Sequence, residues 1–112
     1  MGYGMMSQLP NDVFRSLADP SRRAIFERLC RDGAQSVSTI TAQAAISQPA
    51  VSKHLRILKD SGLVQGTSHG RETLYRADVA ALAPLQDWMR EMTGFWDEKF
   101  DKLENLLKRM DR

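Results

Sequence analysis

The sequence predicts a mainly α-helical fold with one small β-hairpin and a long helix at the end. Apolar residues recur at helical spacing across 11–61 and again across 81–110, and capping residues sit where those stretches begin and stop. Between them the period shortens to strand-like runs around a glycine-containing turn.

The 112 residues, 42% of them hydrophobic, are enough for one domain with a true core. No apolar run approaches the ~18–20 residues that a membrane span needs. The net charge is only +2, from 16 basic and 14 acidic residues. This excludes a histone-like mass of positive charge and leaves nucleic-acid binding open. With Cys30 as its single cysteine, the chain can form neither an intrachain disulfide nor a multi-cysteine zinc site. No secretory-signal pattern opens the sequence, so a reducing, cytoplasmic setting is expected. Residues 1–8 read as a flexible N-terminal lead, and 9–112 as a single domain.

Asn11 is placed to cap a first short helix carrying Val13, Phe14 and Leu17. Asp19-Pro20 marks the next start, since a carboxylate can accept an orphan N–H and proline suits a position that needs none. Ile25, Phe26, Leu29 and Cys30 form its apolar stripe, which makes Cys30 a core thiol, and Gly33 ends it. Arg22 and Arg23 open this helix, free either to meet phosphate or to pair with Asp19. Ser38 is the expected cap of a third helix bearing Ile40 and Ala44. After a tight turn at Ala45-Ile46, Ser47 caps a fourth helix through Ser61, with Pro49 in its first turn and Gly62 as its stop. Val51, Leu55 and Leu58 follow i, i+4, i+7 and should pack inward. Gln48, Ser52, Lys53, Arg56 and Lys59 should face out, with His54 at the boundary.

Leu63–Thr67 and Glu72–Arg76 read as strands around the turn Ser68-His69-Gly70-Arg71, with Gly66 weakening the first arm. From about residue 81, Leu85, Met89, Met92, Trp96, Phe100, Leu103, Leu107 and Met110 are spaced by 4, 3, 4, 4, 3, 4 and 3, and Trp88 and Phe95 widen the stripe. Gly94 is a point where a kink is plausible. At 1.5 Å per residue such a helix is roughly 40 Å long. The remaining compact part is too small to cover it, so a second copy is the economical partner for the stripe.

Two short helices, a tight turn and a helix with an apolar inside and a polar outside make a helix-turn-helix, and the hairpin directly after makes it winged. A helix fits the major groove of B-DNA, provided that small and polar residues at its start let the backbone approach. Ser47, Gln48, Pro49, Ala50, Ser52 and Lys53 meet that need. His54 and Arg56 are further DNA-contact candidates on the same helix, and Lys59 is a weaker one. Gln48 has the amide that pairs with an adenine edge. Arg71 and His69 at the hairpin tip can reach phosphates or the minor groove.

LADPSRRAIFERL (17–29), SQPAVSKHLRILKDSGLV (47–64) and GRETLYR (70–76) strongly resemble the ArsR/SmtB family of bacterial winged-helix repressors, over roughly residues 10–110. The resemblance implies that the helix at about 47–61 reads operator DNA, that residues about 63–76 are the wing, and that the first and last helices form a homodimer. The dimerisation set is then Leu85, Met89, Met92, Trp96, Phe100, Leu103 and Leu107 on a helix of about 81–110. Metal-sensing members carry a cysteine pair in the helix matching 38–45, or His and Asp ligands in the last helix. Here 38–45 has no thiol and 79–112 has no histidine. No metal and no cofactor is therefore expected, and Trp88 and Phe95-Trp96 resemble the metal-independent subgroup.

The expected function is a repressor acting as a homodimer on double-stranded, palindromic operator DNA, with no membrane partner and an unknown inducer. Two alternatives stand beside it: a winged helix used as a protein-interaction module, and a ligand- or redox-switched variant suggested by Cys30 and the aromatic stripe. An enzyme is not expected, because His54 and His69 lie on different elements with no nucleophile, metal set or phosphate loop beside them. The modest total charge hides an asymmetry. Residues 47–76 hold five basic residues against two acidic, while 79–112 hold six against seven.

Overall fold

The computed structural model describes residues 11–111, so the lead expected at 1–8 lies outside the described residues. In order, the elements are α1 (Asn11–Ala18), α2 (Pro20–Asp32), β1 (Gln35–Ser36), α3 (Val37–Gln43), α4 (Gln48–Asp60), β2 (Val64–His69), β3 (Glu72–Ala77), a 3-10 turn (Val79–Leu82) and α5 (Ala83–Met110).

Helix α2 starts as its sequence dictates. Asp19 keeps extended backbone, and its Oδ1 accepts the Arg22 N–H at 2.9 Å while Pro20 takes the first turn. Asn11 is already helical rather than a cap. The cap of α3 is Ser36, not Ser38: its Oγ accepts the Thr39 N–H at 3.2 Å, and Ala44, placed in the helix by its sequence, is the residue that ends it. Ser36 is selected because it is also the last residue of β1, so its backbone is already extended where a cap must be.

Strand β1 was not legible as a strand. Its two residues pair antiparallel with β3, Gln35 with Tyr75 and Ser36 with Leu74, giving the sheet order β1-β3-β2. The wing is thus three-stranded and hydrogen-bonded to the helical part. Its turn is shorter than expected, because Ser68 and His69 are strand residues and His69 pairs with Glu72. Only Gly70 and Arg71 remain in the bend. Gly70 has φ of 64° and Arg71 does not go positive, the pattern of a type II′ hairpin turn. Gly66 has a packing role opposite Tyr75, where a Cβ would meet the Tyr75 ring at 3.3 Å and Thr73 at 3.2 Å.

One core holds α1–α4 and the base of the wing together: Val13, Ile25, Phe26, Leu29, Ile40, Val51, Leu55, Leu58, Leu63 and Val64 are all buried. Cys30 is not among them and is exposed. At about 100° per residue, Ile25, Leu29 and Phe26 span the inward arc and Cys30 falls about 40° beyond its edge. Partial burial of its sulfur, outweighing the nearby Arg31, pushes the thiol pKa up.

The last helix proper starts at Ala83, not 81, because Asp78 caps a 3-10 turn first through the Ala80 N–H. Helix α5 then runs through Gly94 without interruption to Met110. Leu82 and Leu85 pack against the core, whereas most of the helix projects from the body, and the molecule measures 73 × 32 × 20 Å.

Leu55→Ala should destabilise the fold by about 2–5 kcal/mol, read from urea unfolding, because it opens a cavity at the centre of the core. The Asp19 carboxyl is held below its ordinary pKa, chiefly by the Arg22 backbone N–H, with smaller help from the nearby His54 and Arg22. Its contribution is therefore full above the ordinary carboxylate pKa and disappears as pH falls through the lowered one. Asp19→Asn, which cannot titrate, should lose less thermal stability than the parent protein between pH 6 and pH 3.

Candidate nucleic-acid interface

Helix α4 is fixed at both ends by its own sequence. At the start, Ser47 keeps extended backbone and its Oγ accepts the Ala50 N–H at 3.4 Å. At the end, Gly62 takes φ of 80°, the Gly62 N–H meets the Lys59 carbonyl and the Leu63 N–H meets the Leu58 carbonyl. That is a Schellman closure, and the buried Leu58 and Leu63 supply its apolar contact.

Between these ends the helix has two faces. Val51, Leu55 and Leu58 are at most 1% exposed. Pro49, Ser52, Lys53 and Arg56 are all exposed and fall within an arc of about 100° on the far side of the helix. Gln48 is exposed in the first turn at one edge of that arc, and Ser47 lies just before it. Lys59 is exposed as well, one turn beyond Arg56. Ala50 and His54 sit apart on the opposite flank, half-buried. The His54 Nδ1 is buried without a hydrogen-bond partner, and the ring is close enough to Asp19 to help lower its pKa. The fourth helix therefore brings Gln48, Pro49, Ser52, Lys53 and Arg56 onto one open surface but turns His54 towards α2.

The ion pairs among the described residues are Arg15–Asp12, Arg23–Glu27, Arg90–Asp87 and Lys108–Glu104, all within a single helix. Lys53, Arg56, Lys59 and Arg71 take part in none of them. Their charge is left facing solvent, Arg71 from the tip of the β2–β3 hairpin.

Neither Arg22 nor Arg23 forms a side-chain ion pair with Asp19. Arg22 Nε donates to the Ser16 carbonyl at 2.6 Å, its Nη2 to the Arg15 carbonyl at 3.1 Å, and Arg23 Nη1 to the Leu17 carbonyl at 2.8 Å. They satisfy the carbonyls that the end of α1 leaves orphaned. Helix α5 exposes a ridge of Met89, Trp96, Phe100, Leu103 and Leu107, each 51–61% exposed, with Met92 half-buried. At its root, Trp88 meets Phe14 of α1 edge-to-face at 5.4 Å. Among the described residues, no three His, Cys, Asp or Glu side chains are grouped to hold a metal ion, and no helix is long and apolar enough to cross a membrane.

Known proteins share this arrangement. Residues 17–67 match the helix-turn-helix domain family. The HTH-type transcriptional regulator Rv2034 of Mycobacterium tuberculosis is 37% identical over 91 residues, covering 77% of this chain and 84% of that protein. The transcriptional repressor SdpR of Bacillus subtilis is 32% identical over 79 residues, covering 70% of this chain and 87% of that one. Among solved structures, an ArsR-like transcriptional regulator from Rhodococcus sp. RHA1 superposes with a TM-score of 0.75 at 31% identity, over 92% of this chain and 95% of that one.

Proposed function

The chain belongs to the ArsR family of transcriptional regulators, and from that premise we propose that it represses transcription by binding a palindromic operator as a homodimer. Helix α4 enters the major groove with its N-terminal half leading. Gln48 reads a base edge, Ser47, Ser52 and Lys53 hold phosphates, Pro49 and Ala50 allow close approach, and Arg56 and Arg71 extend the contact along the backbone. His54 serves this surface from its flank.

What carries this reading is the two-sidedness of α4. Its inner residues are sealed in the core, and among the described residues the Lys53 and Arg56 charges on its outer face have no carboxylate partner. Five basic residues against two acidic in 47–76 add an attractive field over the same region. A chromosome-binding repressor of this kind works in the cytoplasm. Its specific affinity falls in the range of about 10⁻⁸–10⁻¹¹ M and weakens steeply with salt.

The second copy is argued from α5. Among the described residues, nothing of the same protomer covers its apolar ridge beyond the first turns, and an isologous pairing covers both ridges at once. Leu85, which packs partly on its own core, contributes least of the dimerisation set.

Gln48→Ala should reduce discrimination between a selected duplex and a scrambled one. Lys53→Ala should weaken both and lower the salt slope by about 1. Salt titrations on both duplexes measure this, and identical behaviour of the two variants would sink the assigned roles. Phe100→Ala combined with Leu103→Ala should weaken dimerisation about tenfold or more in sedimentation equilibrium, with the helical signal retained. An unchanged association constant would remove α5 from the interface.

A further inference from the structure

Ser16 and Ser36 are the buried polar side chains among the described residues, and Ser36 is spent as a cap. Ser16 lies in α1 on the inward side, beside Val13, where an apolar residue would satisfy the core. Its hydroxyl donates instead to the Oγ of Ser61 at 2.8 Å, across 45 residues of sequence. Ser61 is the C-cap of α4, and its own hydroxyl hydrogen is shared between the Ile57 and Leu58 carbonyls, 3.1 Å each. The Ser61 oxygen is thus left as an acceptor, which Ser16 fills.

The path continues in the other direction. Arg22 donates to the Ser16 carbonyl, and the Arg22 N–H is held by Asp19. Above these groups lies an open cleft of about 370 Å³ lined by Asp12, Arg15, Ser16, Arg22, Ile57, Asp60 and Ser61. On this side the cleft is open, and among the described residues the side-chain hydrogen bond that joins the last turn of α4 to α1 is the Ser16–Ser61 one. The same α1 carries Phe14 against Trp88 of α5.

We propose that the Ser16–Ser61 hydrogen bond sets the tilt of α4, so that both serines are positioning residues for sequence selection. This rests on the DNA-reading role of α4 given above. A helix of 13 residues is about 20 Å long. A tilt of about 5° at the C-cap moves its first turn, with Gln48, by about 1.5–2 Å. A base-edge hydrogen bond does not survive such a shift, whereas a long, flexible lysine still finds its phosphate. Loss of the bond should therefore cost selectivity and leave general affinity in place.

The test uses a duplex enriched from a randomised pool by the parent protein, and a scrambled duplex of the same composition. Ser16→Ala should bind the selected duplex about threefold to tenfold more weakly, with the scrambled duplex and the salt slope unchanged. Ser61→Ala should match it, the double variant should be no worse than either, and Ser61→Thr, which keeps the hydroxyl, should behave as the parent. Equal loss on both duplexes, additive losses or no loss would overturn the proposal. Hydrogen exchange on the DNA-free protein gives a separate arm: protection of residues 57–62 should fall in Ser16→Ala, and unchanged protection overturns the positioning role. A parent protein that enriches no duplex refutes the DNA reading itself. Loss on both duplexes alike, in a protein that does enrich one, refutes only the positioning role.

Discussion

Val51, Leu55 and Leu58 have almost no contact with solvent, and their burial fixes the rotation of α4 about its own axis. Rotating the helix by one residue, about 100°, would drive Ser52 into the core and lift Val51 out of it. The cost of burying polar groups in that way forbids the alternative. The identity of the outer face is therefore decided by three apolar residues that never touch a partner. The ends of the helix then fix its position along the axis, Ser47 at one end and the Gly62 closure at the other.

The wing takes its place from the same helix. Leu63 and Val64, fully buried, follow Gly62 directly, so the chain enters β2 with its first residues anchored in the core. The Asp78 N–H returns to the Leu63 carbonyl at 2.8 Å and closes the base of the hairpin. On the other side β1 ties the hairpin to α3 through Ser36, which ends a strand and starts a helix at once. Arg71 is thus carried on a hairpin braced at its base by two independent attachments, with only its tip open.

Signals that act within one turn of chain were readable before the structure. Asp19-Pro20, Ser47 with Pro49, and Gly62 each complete their hydrogen bonds with residues three or four positions away, so local sequence determines them. The inner stripe of α4 and its outer polar face were equally legible, since both follow from the helical period. What escaped depends on distant partners. Ser36 outcompetes Ser38 because Tyr75 and Leu74, far along the chain, have already straightened its backbone. Cys30 looked apolar and periodic, but the neighbouring elements cover only the arc of Ile25, Phe26 and Leu29. The Ser16–Ser61 bond joins two unremarkable serines, and no pattern within either helix distinguishes them from solvent-facing ones.

The charge distribution follows the same division of labour. Helices α1 and α5 pair cations with carboxylates at helical i, i+3 or i+4 spacing and balance them nearly one for one, whereas α2 pairs Arg23 with Glu27 but carries four arginines against two carboxylates. Helix α4 has no carboxylate at those positions relative to Lys53, and its only one, Asp60, stands in the last turn. A chain with a net charge of +2 can in this way present a locally positive surface without an overall excess. Exposed ion pairs contribute about 0–1 kcal/mol to folding, so leaving the cations of α4 unpaired sacrifices little stability. The same unpaired cations are free to displace counterions from a polyanion, where each one has a far larger effect on binding.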